Sequence, residues 1–217
     1  MKTFAQFVLV VVVFFVGVFA ARTSFAGGKT AGDGGHVVVC ESARGTSVTL
    51  LDLAEGFHEG LSLRPDLATP EAFSGSQSWY VRAIEPLRAA KRLGGSEAGL
   101  IQWFAPYFEQ VADTRSVFPE LPSNYRPPIP TSPLASELPG GCSIRTIVKT
   151  EERRYRTYGA HFCSIYPELC FSVDRDLWAS LDRLNRRCLA IHEALRYLNE
   201  ELSETEIRRH TRRACMN

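Results

Sequence analysis

The sequence predicts an α+β fold: a small, mostly antiparallel sheet covered by several helices and reinforced by disulfides. Three observations lead there. Two β-branched runs, His36-Val-Val-Val-Cys40 and Thr46-Ser-Val-Thr-Leu-Leu-Asp52, flank Ser42-Ala-Arg-Gly45 in the manner of a hairpin. Apolar residues recur at three- and four-residue steps through the middle and the C-terminal third, as amphipathic helices require. Six cysteines, an even number, lie beyond an N-terminal segment with the form of an export signal, which favours oxidised pairs.

That segment, residues 1–26, begins with Lys2, continues through an uncharged run centred on Phe7-Val-Leu-Val-Val-Val-Val-Phe-Phe-Val16, and closes on Ser24-Phe25-Ala26. A basic start, an apolar centre and a small-x-small ending are read by the export machinery as a signal peptide, with cleavage expected after Ala26. A retained anchor is the competing reading, since the uncharged run approaches the length that spans a bilayer. The short core and the small-residue ending favour cleavage, so no stable membrane anchor is expected in the mature chain and the expected location is periplasmic or secreted. Removing 26 of the 217 residues leaves 191, enough for a single domain with a real core, assigned here to 36–217. The formal charge changes from +1 to −1 on removal of Lys2 and Arg22, and nothing global recruits nucleic acid.

Residues 27–35, rich in glycine, read as a flexible N-terminal tether; a phosphate loop would need a preceding strand and a following helix, and here a strand follows. After the hairpin, Thr69-Pro70-Glu71 places a capping residue ahead of proline at a first helical position, and helix formers continue to about Leu93, with Ser74-Gly-Ser76 able to interrupt them early. A second helix is expected over 96–111, where Leu100, Ile101, Phe104, Tyr107 and Phe108 form a stripe. Its aromatic residues, with Trp79, Tyr80 and Trp103, suit a core better than a ligand cleft. Seven of the twelve prolines fall in 119–141, which forbids helix and central strand and reads as a long exposed loop.

Beyond Gly141, Cys142-Ser-Ile-Arg-Thr-Ile-Val148 and Tyr155-Arg-Thr-Tyr-Gly-Ala-His-Phe162 alternate enough for two strands joining the hairpin's sheet. Helices are expected from Asp174 to Leu181 and from Asn185, as N-cap, to about Leu202. Of the cysteines, Cys163 and Cys170 bracket Pro167 and form the first expected disulfide, while Cys40 and Cys142, each at the edge of a β-like stretch, form the second. No Cys-x-x-Cys pair is present, which argues against a structural zinc site. The paired arginines of the C-terminal third, Arg186-Arg187, Arg208-Arg209 and Arg212-Arg213 among them, are mostly interleaved with acids and read as solvated helix faces.

For chemistry, the one dyad is His192-Glu193 on the last long helix. In zinc hydrolases a His-Glu pair followed one turn later by histidine puts two imidazoles on one face and a glutamate beside metal-bound water. Arg196 occupies that later position, so a zinc site would need a remote ligand, His161 being the candidate beside His36, His58 and His210. In that reading His192 and His161 ligate zinc and Glu193 is the catalytic base. A structural role, with His192 bonded to a buried carboxylate or carbonyl, is the stronger expectation from the incomplete ligand set. No serine nucleophile elbow is present, and exported thiols are expected to be paired and inert.

Gly34-Gly-His-Val-Val-Val-Cys40, Ser47-Val-Thr-Leu-Leu-Asp-Leu-Ala-Glu55, Gly141-Cys142, Asp176-Leu-Trp178 and Leu189-Ala-Ile-His-Glu-Ala-Leu195 together resemble a group of uncharacterised exported proteins of Gram-negative bacteria. The resemblance implies an envelope or extracellular setting and the recurrence of the His-Glu helix, and it brings no reaction. The functional expectation is an exported binding or structural protein with an envelope or extracellular partner and no cofactor; the alternative is a zinc-dependent hydrolase built on His192-Glu193.

Overall fold

Residues 35–43, 45–114, 130, 132–150, 171–198 and 202–217 are described by a computed structural model, and all of them fall within one compact unit, Ala31–Asn217. Its architecture is α+β. Strands β1 (His36–Ser42) and β2 (Gly45–Leu50) form the expected antiparallel hairpin, and β3 (Cys142–Thr146) pairs antiparallel with the other edge of β1, giving the order β2-β1-β3. Cys40 stands opposite Cys142 in that register, with Cα atoms 4.0 Å apart, and the two form a disulfide as expected. The continuous valine run of β1 has a reason: Val37 and Val39 enter the main core, while Val38, on the opposite face, is covered by Leu51 and Leu134. A strand buried on both faces has no need of a polar alternate position.

The strand expected over 142–148 joins the hairpin's sheet only as far as Thr146. β4 (Val148–Thr150) does not continue the hairpin's sheet but pairs antiparallel with β5 (Phe171–Val173) in a sheet of its own. The backbone turns out of β3 at Ile147, whose N–H, with that of Val148, is directed to the Gly35 carbonyl. Tyr155–Phe162, the Cys163–Cys170 pair and His161 lie outside the described residues, as do the signal peptide, most of the tether and most of the proline-rich segment.

β2 passes without a loop into helix α1 (Leu51–His58), which the sequence reading had continued as strand to Asp52. Then come a short turn of helix α2 (Pro65–Ala68), α3 (Ser76–Ala89) and α4 (Gly95–Asp113). The interruption at Ser74-Gly-Ser76 separates α3 from a 3-10 turn at Ala72–Ser74, where the Thr69 hydroxyl accepts the Ala72 N–H. α5 (Arg175–Ser180) is capped by the Asp174 carboxylate, which accepts the Leu177 N–H at 3.0 Å. α6 (Arg183–Leu198) starts two residues before Asn185, because Asp182 supplies the capping acceptor, taking the Asn185 N–H at 2.7 Å. Asn185 is therefore not the cap; its side chain instead accepts the Leu50 N–H at 2.7 Å and ties the end of β2 to the helix.

A last helix, α7 (Glu204–Cys215), is capped at its start by a Ser203–Glu206 capping box and lies beyond the helix expected to about Leu202. It carries the second described disulfide, Cys188–Cys215, a pairing the sequence did not single out. Leu63 and Met216 form a β-bridge, and Arg64 Nη1 donates to the Ala214 carbonyl at 3.0 Å, so the C-terminus is held from several sides.

The core centres on α6, whose residues from Arg187 to Leu195 are all fully buried. Phe104 and Phe108 of α4 pack with Phe171, Trp178 and Tyr197 in an aromatic cluster, Phe104 and Tyr197 stacked at 5.0 Å. The described part of the proline-rich segment is not simply exposed: Leu134 lies in the second apolar cluster, and the Ser132 hydroxyl donates to Glu55 at 2.7 Å. Among the described residues no helix is long and apolar enough to cross a membrane.

Candidate functional site

His192 sits where α6 faces the start of α1. Its Nδ1 is 2.7 Å from Asp52 Oδ2 and its Nε2 is 3.3 Å from Glu204 Oε1, at the first position of α7. Asp52 is placed by the direct β2-to-α1 transition, which turns the second helical residue inward. Burial opposes charge on His192, but the carboxylates of Asp52 and Glu204 outweigh it and hold the imidazole well above its usual range as a cation. Glu204 is likewise disfavoured by desolvation, yet the charge and hydrogen bond of His192 bring it down to about 2. The result is a carboxylate–imidazolium–carboxylate array, closed at His192 and Asp52 and reaching partial exposure only at Glu204.

Glu193, the next residue, faces the hairpin. Its Oε1 accepts the Gly35 N–H at 2.5 Å, and burial raises its carboxyl above the normal carboxylate range. Gly35 is required there: a Cβ would meet Leu189 Cδ1 at 2.1 Å and Glu193 Oε1 at 3.0 Å. The tether expected to run through 35 thus ends before it, at a buried glycine that closes onto α6. His36 follows, 2 % exposed, with neither ring nitrogen hydrogen-bonded among the described residues; burial first, then the charges of His192, Arg208 and Arg196 against that of Glu204, lower it to about 4.

These placements bear on zinc chemistry. Both ring nitrogens of His192 face carboxylates, and Glu193 is turned to a backbone amide rather than to an open position. Among the described residues no three His, Cys, Asp or Glu side chains are placed to hold a metal ion. Of the other histidines, His36 is coupled to the array, His58 lies at the surface 3.3 Å from Glu137, and His210 is buried on α7. Asp52, Glu204 and His36 were missed as members of one group because 140 residues separate Asp52 from His192 in the chain. The one readable signal was the acid directly after an apolar strand end.

The opposite side of α6 carries a second polar group. Arg187, 0 % exposed, lies between the rings of Phe73 and Trp79, its guanidinium carbon 5.0 and 5.3 Å from their centroids. Its Nε is 3.4 Å from Glu109 Oε1, and Tyr80 donates to Glu109 Oε2 at 3.1 Å, while Nη1 and Nη2 have no hydrogen-bond partner among the described residues. Desolvation lowers the Arg187 pKa and raises that of Glu109, each opposed by the other's charge. Above this pair opens a cleft of about 540 Å³ between α3, α4 and α6, lined among others by Gln77, Gln102, Trp103, Tyr107 and Gln110. Trp103 is 50 % exposed and stacks on Tyr107 with ring planes within 6° and centroids 5.8 Å apart. The aromatic stripe is therefore divided: Trp79, Tyr80, Phe104 and Phe108 are core, whereas Trp103 and Tyr107 line the cleft.

The paired arginines are divided as well. Arg208 and Arg212 are not a solvated face but converge on buried Glu55, which also accepts from Ser132; Arg209 and Arg213 are exposed. Compared with family models, curated proteins and solved structures, the chain matches none of them.

Proposed function

We propose that the protein is an exported, disulfide-stapled binding protein that works in the periplasm or outside the cell and takes a small ligand in the cleft between α3, α4 and α6. The observation that carries this reading is Trp103: a large apolar ring held half exposed on Tyr107 in the lining of a ligand-sized cleft. Pockets of this size with an apolar wall and a few convergent polar groups are where small molecules bind. Export is supported by the signal-like segment and by cysteines in disulfide geometry. The His192 array has the opposite character: His192 and Asp52 are buried, and each ring nitrogen of His192 faces a carboxylate of the protein itself, which supports a structural role.

The test is a thermal-shift screen of small molecules on the mature protein and on Trp103→Ala in parallel. Ligands that raise the wild-type Tm and leave that of Trp103→Ala unmoved are expected; a screen in which every shift persists in the variant overturns the cleft as the site. The zinc-hydrolase alternative is tested on the same sample by metal content, since stoichiometric zinc that disappears in His192→Ala would replace the binding reading.

A further inference from the structure

We infer that the cleft takes a neutral saccharide, one pyranose ring lying on the Trp103–Tyr107 platform; the inference rests on the binding role proposed above. Charge is the first argument. The Glu109 carboxylate already receives the Tyr80 hydroxyl and faces Arg187 Nε, and the Asp113 carboxylate accepts Trp178 Nε1 at 2.8 Å and Arg186 Nη1 at 3.1 Å. The remaining cation on the wall, Arg183, lies over the Phe73 ring at 5.3 Å. The lining therefore offers no unmatched carboxylate for a cationic ligand, and its one guanidinium without a carboxylate, that of Arg183, is placed against an aromatic ring.

What is left unpaired is a set of neutral groups. The side chains of Gln77, Gln102 and Gln110 line the cleft with no hydrogen bond among the described residues, and each carboxamide both donates and accepts. Hydroxyl groups also do both, so rows of carboxamides match a polyol edge better than they match a phosphate or an ammonium. The platform supplies the second half of the recognition. A pyranose presents an apolar face of axial C–H bonds and a rim of hydroxyls; the exposed Trp103 ring, backed by Tyr107, meets the first while the amides meet the second. The cleft's volume lies within the range of small-ligand sites, about 300–1,000 Å³.

Trp79 and Trp178 are buried and Trp103 is half exposed, so acrylamide quenching of tryptophan fluorescence reports chiefly on the platform. The mature protein is titrated with cellotetraose, maltotetraose and chitotetraose, with tetragalacturonate as the anionic arm and adenosine and free tryptophan as planar non-sugar arms. The expected result is that at least one neutral tetrasaccharide shields Trp103, that 0.5 M NaCl leaves the affinity unchanged, and that calorimetry shows a loss of about tenfold in Trp103→Ala and about threefold in Gln102→Ala. Both positions lie on the outer side of α4, and thermal melts of the variants verify that folding is retained. Salt-sensitive shielding by tetragalacturonate alone overturns neutrality, and shielding by adenosine or tryptophan alone overturns the sugar class; in both cases the cleft still binds a ligand. If no probe shields Trp103 the inference falls, and the thermal-shift screen then decides separately whether the binding role falls with it.

Discussion

At the residue scale the chain shows how buried charge is tolerated when each group has a named counterpart. Replacing His192 by Asn leaves Asp52 and Glu204 facing each other without a cation, and a cost of about 3–5 kcal/mol in urea unfolding is expected. His36 makes a different prediction. Its pKa is about 4 in the folded protein and near 6.5 unfolded, so the unfolded state binds more protons between those values and stability falls as pH drops from 6.5 to 4. Across that window the loss is about 3 kcal/mol, and His36→Gln should remove most of it, as urea midpoints at pH 7 and pH 4 will show. His192 acts elsewhere: with its folded pKa raised, its contribution is complete below pH 6.5 and is lost on the alkaline side. Glu204, lowered to about 2, contributes fully above its normal 4.5 and loses that contribution as pH falls through about 2. Gly35→Ala is expected to destabilise by several kcal/mol, since its Cβ would overlap Leu189 in a packed core.

At the scale of the element, α6 organises the molecule. One face, through Asn185, His192 and Glu193, receives the ends of β1 and β2 and the start of α1; another, through Arg187, receives α4. The Arg187–Glu109 pair is the element's most exposed weakness in energetic terms. Arg187→Met alone is expected to cost about 3–5 kcal/mol by leaving Glu109 buried and unpaired, whereas Arg187→Met with Glu109→Gln should recover most of that loss. A double-mutant cycle in guanidinium chloride gives the coupling directly; additive losses would mean that packing, not charge, decides the site. On α4 the same periodic stripe predicts unequal costs. Phe104→Ala should cost about 3–5 kcal/mol and Trp103→Ala under about 0.5, because only the first is enclosed.

At the scale of the whole molecule, two covalent links join distant segments: Cys40–Cys142 spans 102 residues and Cys188–Cys215 spans 27. In the chain-entropy treatment their loss releases about 4.7 and about 3.6 kcal/mol of unfolded-state entropy, respectively. Cys40→Ala with Cys142→Ala is therefore expected to lower the urea midpoint more than Cys188→Ala with Cys215→Ala. The reverse order would show that α7 depends on its bridge for more than chain entropy.

Local patterns determined the α+β class, the hairpin and the helix expected over 96–111, and they placed Cys40 and Cys142 at strand edges where they could pair, because β-branched runs, apolar spacing and turn residues act over a few neighbours. They also marked His192 and Glu193 and made a buried carboxylate or carbonyl the expected partner of the histidine. Only the tertiary structure decided which acids those are, that Gly35 belongs to the fold, that β4 leaves the hairpin's sheet for β5, and that Trp103 faces a cleft while Phe104, one residue on, is buried. The physical reason is the same in each case. Partners such as Asp52 and His192 meet through the packing of whole elements, whose free energy comes from apolar burial between surfaces far apart in sequence, and no window of neighbouring residues contains that information.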